Sequence, residues 1–237
     1  MKAIILAAGL GTRLRPITAT IPKCLVPING VPLLELWLRA CEQAGVESVL
    51  INTHYFAERV EEFISGRCGV PVQLSYEPEL LGSAGTIAAN WNFVDGEESF
   101  VVIYADNLTT FSLSELIGFH AGHRQIASMA LFRSPNPSAC GVVEMRESGL
   151  ITAFWEKPEN PPSDLCNAGL YVFRREVQRF LPATVPADVG TSLMPALAGH
   201  AMGLPIRGYF IDIGTLENYY SAQADFAAAC AKETVAI

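Results

Sequence analysis

Apolar residues fall along this chain in two rhythms. Short runs rich in isoleucine, valine and phenylalanine, such as "AIILAA" and "FVVIYA", are bounded by glycine or charged residues. Runs of that length and composition predict buried strands. Between them apolar positions recur every three or four residues, as in "PLLELWLRACEQA" and "FAERVEEFIS", which predicts helices with one packed face. The pattern places strands over 3–8, 48–52, 72–76, 100–104, 127–132, 141–145, 151–155, 167–173 and 206–211. It places helices over 32–44, 56–65, 84–91, 113–123, 175–181, 193–201 and 216–232. Leu34, Trp37 and Leu38 form the inward stripe of the first helix.

Up to Asp106 strand and helix alternate strictly, and such alternation makes a parallel sheet covered by helices on both faces. Beyond Asp106 the strands crowd together, as antiparallel strands added to one side would. The expected fold is α/β, with a mixed, mostly parallel central sheet flanked by helices. "EKPENPPSD" reads as a loop within this region. No composition shift or repeat divides the chain, so residues 1–237 are expected to form a single domain.

Half of the 237 residues are hydrophobic, enough for a sizeable core. The net charge of -8 disfavours a nucleic-acid backbone or an anionic membrane as the main partner, but a local cationic pocket can still sit on an acidic surface. No apolar run approaches the roughly 20 residues that span a bilayer. "MKAIILAAGL" fails as a signal peptide because Arg13 and Arg15 follow with no small-residue cleavage site before them. The six cysteines are scattered without C-x-x-C spacing, so reduced, mostly buried thiols in a soluble cytoplasmic protein are expected.

The first loop carries the candidate chemistry. In an open parallel sheet, ligands bind beyond the carboxyl ends of the strands, where the loop from Gly9 must lie. Gly9 and Gly11 permit positive φ and close backbone approach. Arg13 offers a fork of donors for phosphate oxygens, and Lys23 a compact charge. Pro16, Pro22 and Pro27 restrict the loop. Two phosphate motifs fail: Leu14 replaces the third glycine of a dinucleotide fingerprint, and Lys23 follows Pro22 where a P-loop needs glycine. Asp106 and Asp212 each end an apolar run, so two acids could meet over one crevice and offer hard oxygen ligands.

"LAAGLGTRLRPITATIPKCLVPING" resembles the signature of the sugar-1-phosphate nucleotidyltransferases, which join a nucleoside triphosphate to a sugar 1-phosphate and release pyrophosphate. The similarity continues through "EPELLGSAGTI", "YADNL", "FWEKP", "CNAGLYVF" and "DIGTLENYY", from Lys2 to about Phe226. It implies a Rossmann-like nucleotidyltransferase fold without the appended β-helix domain of many relatives, and Mg²⁺ held by Asp106 and Asp212. Asn107 stands where some relatives have a second acid. The resemblance makes Arg13 and Lys23 catalytic. It assigns nucleotide binding to Leu6, Ala7, Ala8, Gly9, Gly11, Thr12, Arg13, Glu77, Gly82 and Gly85. Glu156 then binds sugar hydroxyls and Lys157 the sugar phosphate, with Gly141, Asn167 and Gly169 lining the sugar pocket. The implied partners are a triphosphate and a sugar 1-phosphate, with no nucleic acid and no membrane; a homodimer is compatible with it.

Base and sugar are less determined. "INTHYFAERVEEFI" and "LLGSAGTI" look most like mannose-1-phosphate and D-glycero-α-D-manno-heptose-1-phosphate guanylyltransferases. A carboxylate only accepts hydrogen bonds, and guanine presents two adjacent donors, so Glu77 facing the base favours GTP. The alternative is a solvated Glu77, with backbone atoms choosing the base. Thymidylyl or uridylyl transfer to a hexose 1-phosphate is the second expectation, and a catalytically silent nucleotide-sugar sensor the third. The four histidines share no ligand spacing; for His120 and His123, favourable interaction with a helix dipole suffices.

Overall fold

Ala3, Ile4 and Ile5 point to alternate faces of the first strand and all are fully buried, so this strand is covered from both sides. The computed structural model describes residues 1–234. In chain order the strands are β1 (Lys2–Leu6), β2 (Pro27–Ile28), β3 (Val31–Pro32), β4 (Ser48–Thr53), β5 (Val72–Tyr76), β6 (Ser99–Tyr104), β7 (Asn107–Thr109), β8 (Ala127–Arg133), β9 (Gly141–Met145), β10 (Leu150–Glu156), β11 (Leu165–Arg174), β12 (Ala201–Pro205) and β13 (Phe210–Asp212). The α-helices are α1 (Leu33–Gln43), α2 (Ala57–Ser65), α3 (Ser83–Ala89), α4 (Trp91–Val94), α5 (Leu113–Ala121), α6 (Met194–Ala196) and α7 (Leu216–Thr234).

Nine strands form one sheet in the order β5-β4-β1-β6-β11-β8-β12-β10-β9. β5, β4, β1 and β6 are parallel, and β12 is parallel to β8. β11 enters antiparallel between β6 and β8, and β10 lies antiparallel to both β12 and β9. Only β11 and β10 therefore run against the rest, as a mixed, mostly parallel sheet requires. From β1 the chain moves outward to β4 and β5, then crosses back to β6 on the other side. That reversal opens a crevice at the carboxyl ends of β1 and β6.

Two apolar layers cover the sheet. Leu34, Trp37 and Leu38 of α1, Val60 of α2 and Leu116 of α5 pack one face, as the helical spacing predicted for α1. Ala84 and Ile87 of α3, Val94 of α4 and Met194 of α6 pack the other. A third cluster, Leu14, Val26, Ile28 and Leu33 with Leu108, Ile213 and Ala222, anchors the first loop from beneath. Among the described residues no helix is long and apolar enough to cross a membrane.

Several boundaries differ from expectation. The expected helix over 193–201 is a wide turn (Val189–Leu193) leading into α6, and the chain then enters β12. Strand pairing overrides local preference there: Gly203 lets β12 lie close to its neighbours, since a Cβ would stand 2.5 Å from Leu131 Cδ1 and 2.7 Å from Met145 Sδ. The strand expected over 206–211 reduces to β13, and the helix over 175–181 is a tighter 3₁₀ run, Arg175–Phe180. Cys24, Cys41 and Cys166 are buried, but Cys68 and Cys230 are exposed and Cys140 intermediate, so the thiols are not mostly buried.

His120 also departs from the expected dipole role. Its ring is buried, with Nδ1 2.8 Å from Ser128 Oγ and Nε2 3.3 Å from Ser99 Oγ. Burial, then the charge of Arg174 and neighbouring His123, push its pKa from 6.5 down to about 3. It is neutral, so it gains nothing from a helix C-terminus. Above pH 6.5 both folded and unfolded forms are neutral and the site has no pH dependence. Below that value the unfolded chain binds a proton that the folded chain refuses, which removes about 1.4 kcal/mol of stability per pH unit. The loss continues down to the depressed folded value. Between pH 7 and 5 the parent is expected to lose about 2 kcal/mol more stability than His120→Asn, read from urea midpoints. Parallel pH profiles would show that the ring is not held neutral.

Candidate active site

The register of β1 levels the floor of the crevice. Leu6 lies opposite Asn52 on one side and Tyr104 on the other. Asn52 Oδ1 accepts the Ala7 N–H at 2.7 Å, and its Nδ2 donates to Glu77 Oε1 at 2.9 Å. Above them opens a crevice of about 960 Å³, at the upper end for a small-molecule site. Leu6, Ala7, Ala8, Gly9, Glu77 and Gly82 line it, and so do Gly141, Glu156, Lys157, Asn167 and Gly169. Lys23, Asp106 and Asp212 line it as well.

The first loop folds on itself to deliver Lys23. Gly11 has φ 63°, and a Cβ there would stand 2.9 Å from Thr18 Cγ2 and 3.2 Å from Lys23 Cβ, so only glycine fits. Thr18 Oγ1 closes this bend with a 2.6 Å hydrogen bond to the Gly11 carbonyl. Gly9 does not adopt positive φ, and its missing side chain would meet nothing. Lys23, buried, ion-pairs with Asp106 Oδ2 and reaches to 3.7 Å from Asp212 Oδ1.

The two acids meet through a ribbon that the sequence did not disclose. β13 pairs antiparallel with β7, setting Asp212 opposite Asn107, and the Ile213 N–H donates to the Asp106 carbonyl at 2.8 Å. Asp212 Oδ1 is buried with no hydrogen-bond partner. Burial and the neighbouring Asp106 raise the Asp212 pKa, against the opposing pull of Lys23 and Arg13. Two half-buried carboxylates, one of them with an unpartnered buried oxygen, are a hard-oxygen donor set that fits Mg²⁺. Among the described residues no group of three or more acids, histidines or cysteines forms a metal cage, so phosphate oxygens and water would complete the coordination. Gly214 leaves room for this meeting: a Cβ there would stand 2.8 Å from Asp212 Oδ2 and 3.1 Å from an Arg13 guanidinium nitrogen.

Asn107 is a brace. Its Nδ2 donates to the Ala168 carbonyl at 2.7 Å, and Trp37 Nε1 donates to the Asn107 carbonyl at 2.9 Å. An aspartate there would set a carboxylate against a carbonyl. The Ala168 contact holds the bend of β11 at Gly169, where φ is 67° and a Cβ would stand 2.8 Å from the Tyr104 ring. Asn167 Oδ1 accepts the Gly169 N–H at 2.8 Å. Lys157 takes φ 49°, a strained left-handed conformation for a side chain of its size, with its N–H on the Cys140 carbonyl at 3.0 Å. Its Nζ stands 3.5 Å from Glu156 Oε1.

Glu77 is not solvated. Its carboxylate accepts from Asn52 Nδ2, from Thr86 Oγ1 at 2.5 Å and from the Leu81 N–H at 3.1 Å. Gly11, Thr12, Arg13 and Gly85 stand outside the crevice lining. Gly85 backs onto Val185, where a Cβ would come within 2.8 Å of Cγ1. Sequence reasoning overlooked Asn52, Ser83, Thr86, Asp188 and Gly190, all of which line the crevice. Asn52 carried a usable signal, a polar residue ending an apolar strand as Asp106 does. Asp188 and Gly190 carried none.

A cation between convergent acids thus lies in the switch-point crevice of a mixed α/β sheet, where folds of this class bind their ligands. The chain belongs to the nucleotidyl transferase family, whose profile matches residues 2–229. It is 34% identical over 226 residues to the mannose-1-phosphate guanylyltransferase catalytic subunit beta of Danio rerio, covering 92% of this chain and 62% of that protein. It is also 34% identical over 243 residues to a UTP–glucose-1-phosphate uridylyltransferase of Synechocystis, covering 94% of this chain and 62% of the relative. The chain thus spans under two thirds of the length of either relative. A crystal structure of UDP-glucose pyrophosphorylase complexed with UDP-glucose shares the fold at a TM-score of 0.83 and 23% identity, covering 96% of this chain and 98% of that one.

Proposed function

We propose that this chain transfers a nucleoside monophosphate from a nucleoside triphosphate to a sugar 1-phosphate and releases pyrophosphate. The observation that carries the reading is Lys23 set between Asp106 and Asp212, in one crevice that the first loop and the Glu156–Lys157 pair also line. A phosphate monoester has a second pKa near ~6, so at neutral pH the acceptor is already an anionic nucleophile. Its oxygen attacks the α-phosphorus, a P–O bond to the β-phosphate breaks, and pyrophosphate leaves with the electron pair. No side chain need remove a proton. The barrier lies in repulsion between anions and in their alignment.

The residues divide that task. Backbone groups from Leu6 to Gly9 hold the base and ribose, Arg13 attracts the triphosphate, and Lys23 stabilises charge at the α-phosphate. Lys157 holds the acceptor phosphate, and Glu156 accepts from sugar hydroxyls. Asp106 and Asp212 would hold Mg²⁺, which when bound supplies neutralising charge between the two phosphates.

Guanylyl transfer to mannose- or heptose-1-phosphate is our preferred form of the reaction, and the name of the Danio rerio relative, a mannose-1-phosphate guanylyltransferase subunit, supports the mannose form. Glu77 contributes less to that preference than its charge implied. Three protein donors already hold it, leaving capacity for part of guanine's donor edge only. Uridylyl transfer to a hexose 1-phosphate is the second form, favoured by the equally identical Synechocystis relative. Pyrophosphate release, measured with each triphosphate against a panel of sugar 1-phosphates, decides among these. The greatest rate is expected with GTP and Mg²⁺, with loss of activity in excess EDTA and recovery on adding Mg²⁺. Activity with UTP or dTTP alone overturns the guanine preference, and undiminished turnover in EDTA overturns the metal assignment.

A further inference from the structure

Asp188 lies on the crevice wall outside every motif, and its carboxylate is held through one oxygen. Oδ1 accepts both donors of Ser83, the N–H at 2.9 Å and the hydroxyl at 3.0 Å. The Ser83 hydroxyl in turn accepts from the Tyr104 hydroxyl at 3.0 Å and from the Val189 N–H at 2.8 Å. One donor and two acceptor positions are all that a serine oxygen has, so its orientation is fully determined. The backbone on either side is tied as well. Ala187 donates to the Leu81 carbonyl at 2.9 Å and accepts from the N–H groups of Ala84 at 2.9 Å and Gly85 at 3.0 Å.

The same segment shapes the seat of Glu156. A Cβ on Gly190 would overlap Glu156 Oε2, and one on Gly141 would come to 3.0 Å from that oxygen. Glu156 therefore lies in a slot between two residues without side chains, one of them two positions from Asp188. The buried Tyr104 phenol marks how the acids are gathered. Burial raises its pKa most, and Asp188, Asp106 and Glu156 add to the rise. Asp188 Oδ2 has no hydrogen-bond partner among the described residues, although Asp188 lines the crevice.

We infer that Asp188 is a specificity-determining residue for the acceptor, presenting Oδ2 beside Glu156 to sugar hydroxyls and selecting neutral glycosyl 1-phosphates over acidic ones. This rests on the transfer reading above. Asp188, Glu156 and Lys157 line the same crevice, and Lys157 is assigned to the phosphate. Hydroxyls satisfy the acids as donors. A uronic acid places a third carboxylate against them with no cation to spare, which is discrimination by repulsion.

Asp188→Asn tests this with little change of shape. Both Ser83 donors require an oxygen, so the amide nitrogen takes the Oδ2 position and an acceptor becomes a donor. The KM for mannose 1-phosphate is expected to rise about 10-fold or more. The kcat/KM ratio of mannose 1-phosphate to glucuronic acid 1-phosphate should fall by at least ~10-fold. The KM for the triphosphate should stay within about twofold and the melting temperature should be unchanged. Ser83→Ala, which frees the carboxylate without removing it, should shift sugar KM in the same direction by less. Unchanged sugar KM and selectivity overturn the inference. So does a rise in triphosphate KM equal to that for sugar with a lower melting temperature, which would make Asp188 only a brace for α3. Should the parent release no pyrophosphate with any sugar phosphate, the transfer reading itself fails. Calorimetric binding of mannose 1-phosphate to parent and Asp188→Asn then decides Asp188 alone, weaker binding to the variant supporting it and equal affinity overturning it.

Discussion

Replacing Lys23 by methionine should lower kcat by about 100-fold or more while the protein still folds. The expectation follows from where the ammonium sits, between Asp106 and Asp212, which the proposed transfer places beside the α-phosphate. A preorganised donor in such a place costs nothing to reorganise as charge develops, and removing one typically loses about 3 kcal/mol of transition-state stabilisation. Methionine preserves much of the apolar stem that packs below the loop, so melting temperature and circular dichroism serve as controls. Pyrophosphate release with saturating substrates is the measurement. A folded variant turning over at the parent rate would exclude Lys23 from the chemistry.

The largest expected effect on stability belongs to Gly82. Its backbone holds φ 73° and ψ 160°, a region that residues with a Cβ essentially do not enter. A Cβ there would stand 2.5 Å from the Ala187 carbonyl oxygen, 2.8 Å from the carbonyl carbon and 2.9 Å from the nitrogen. Those atoms belong to backbone and cannot rotate away. Gly82→Ala must therefore break the contact between Leu81–Gly85 and Ala187, along with the hydrogen bonds that tie the start of α3 to it. Backbone strain and the clash together should remove roughly 3 kcal/mol or more. Urea denaturation followed by fluorescence would show it as a lowered midpoint, and an unchanged midpoint would mean that the two segments separate freely.

How much of this was written in the sequence differs from element to element. β1 was legible because four consecutive apolar residues, Ala3 to Leu6, leave no face for water, and the first loop because glycine, arginine and lysine follow directly at the carboxyl edge. Asp106 and Asp212 were legible singly, each as an acid ending an apolar run. What brings them together was not: β7 is three residues long, and its partner follows after a long intervening stretch of chain. β12 was missed because "AMGLP" has little strand preference of its own and exists as a strand through its pairing with β8. Asp188 shows the limit most plainly. Its role depends on the neighbouring turn of another segment, and a carboxylate among alanines and prolines gives no local sign of it. Glu77 was legible as an acid near the base but not as one already held by Asn52 and Thr86, since those bonds span three separate elements.

The short β7–β13 ribbon sets a timetable for the nascent protein. Thr109 Oγ1 donates to the Tyr209 carbonyl across 100 residues of chain, in the same ribbon that seats Asp212 beside Asp106. During translation Lys23 and Asp106 emerge long before Asp212 leaves the ribosome. A half-made molecule thus holds one acid and the cation beside it, and the second acid joins them only when the ribbon closes.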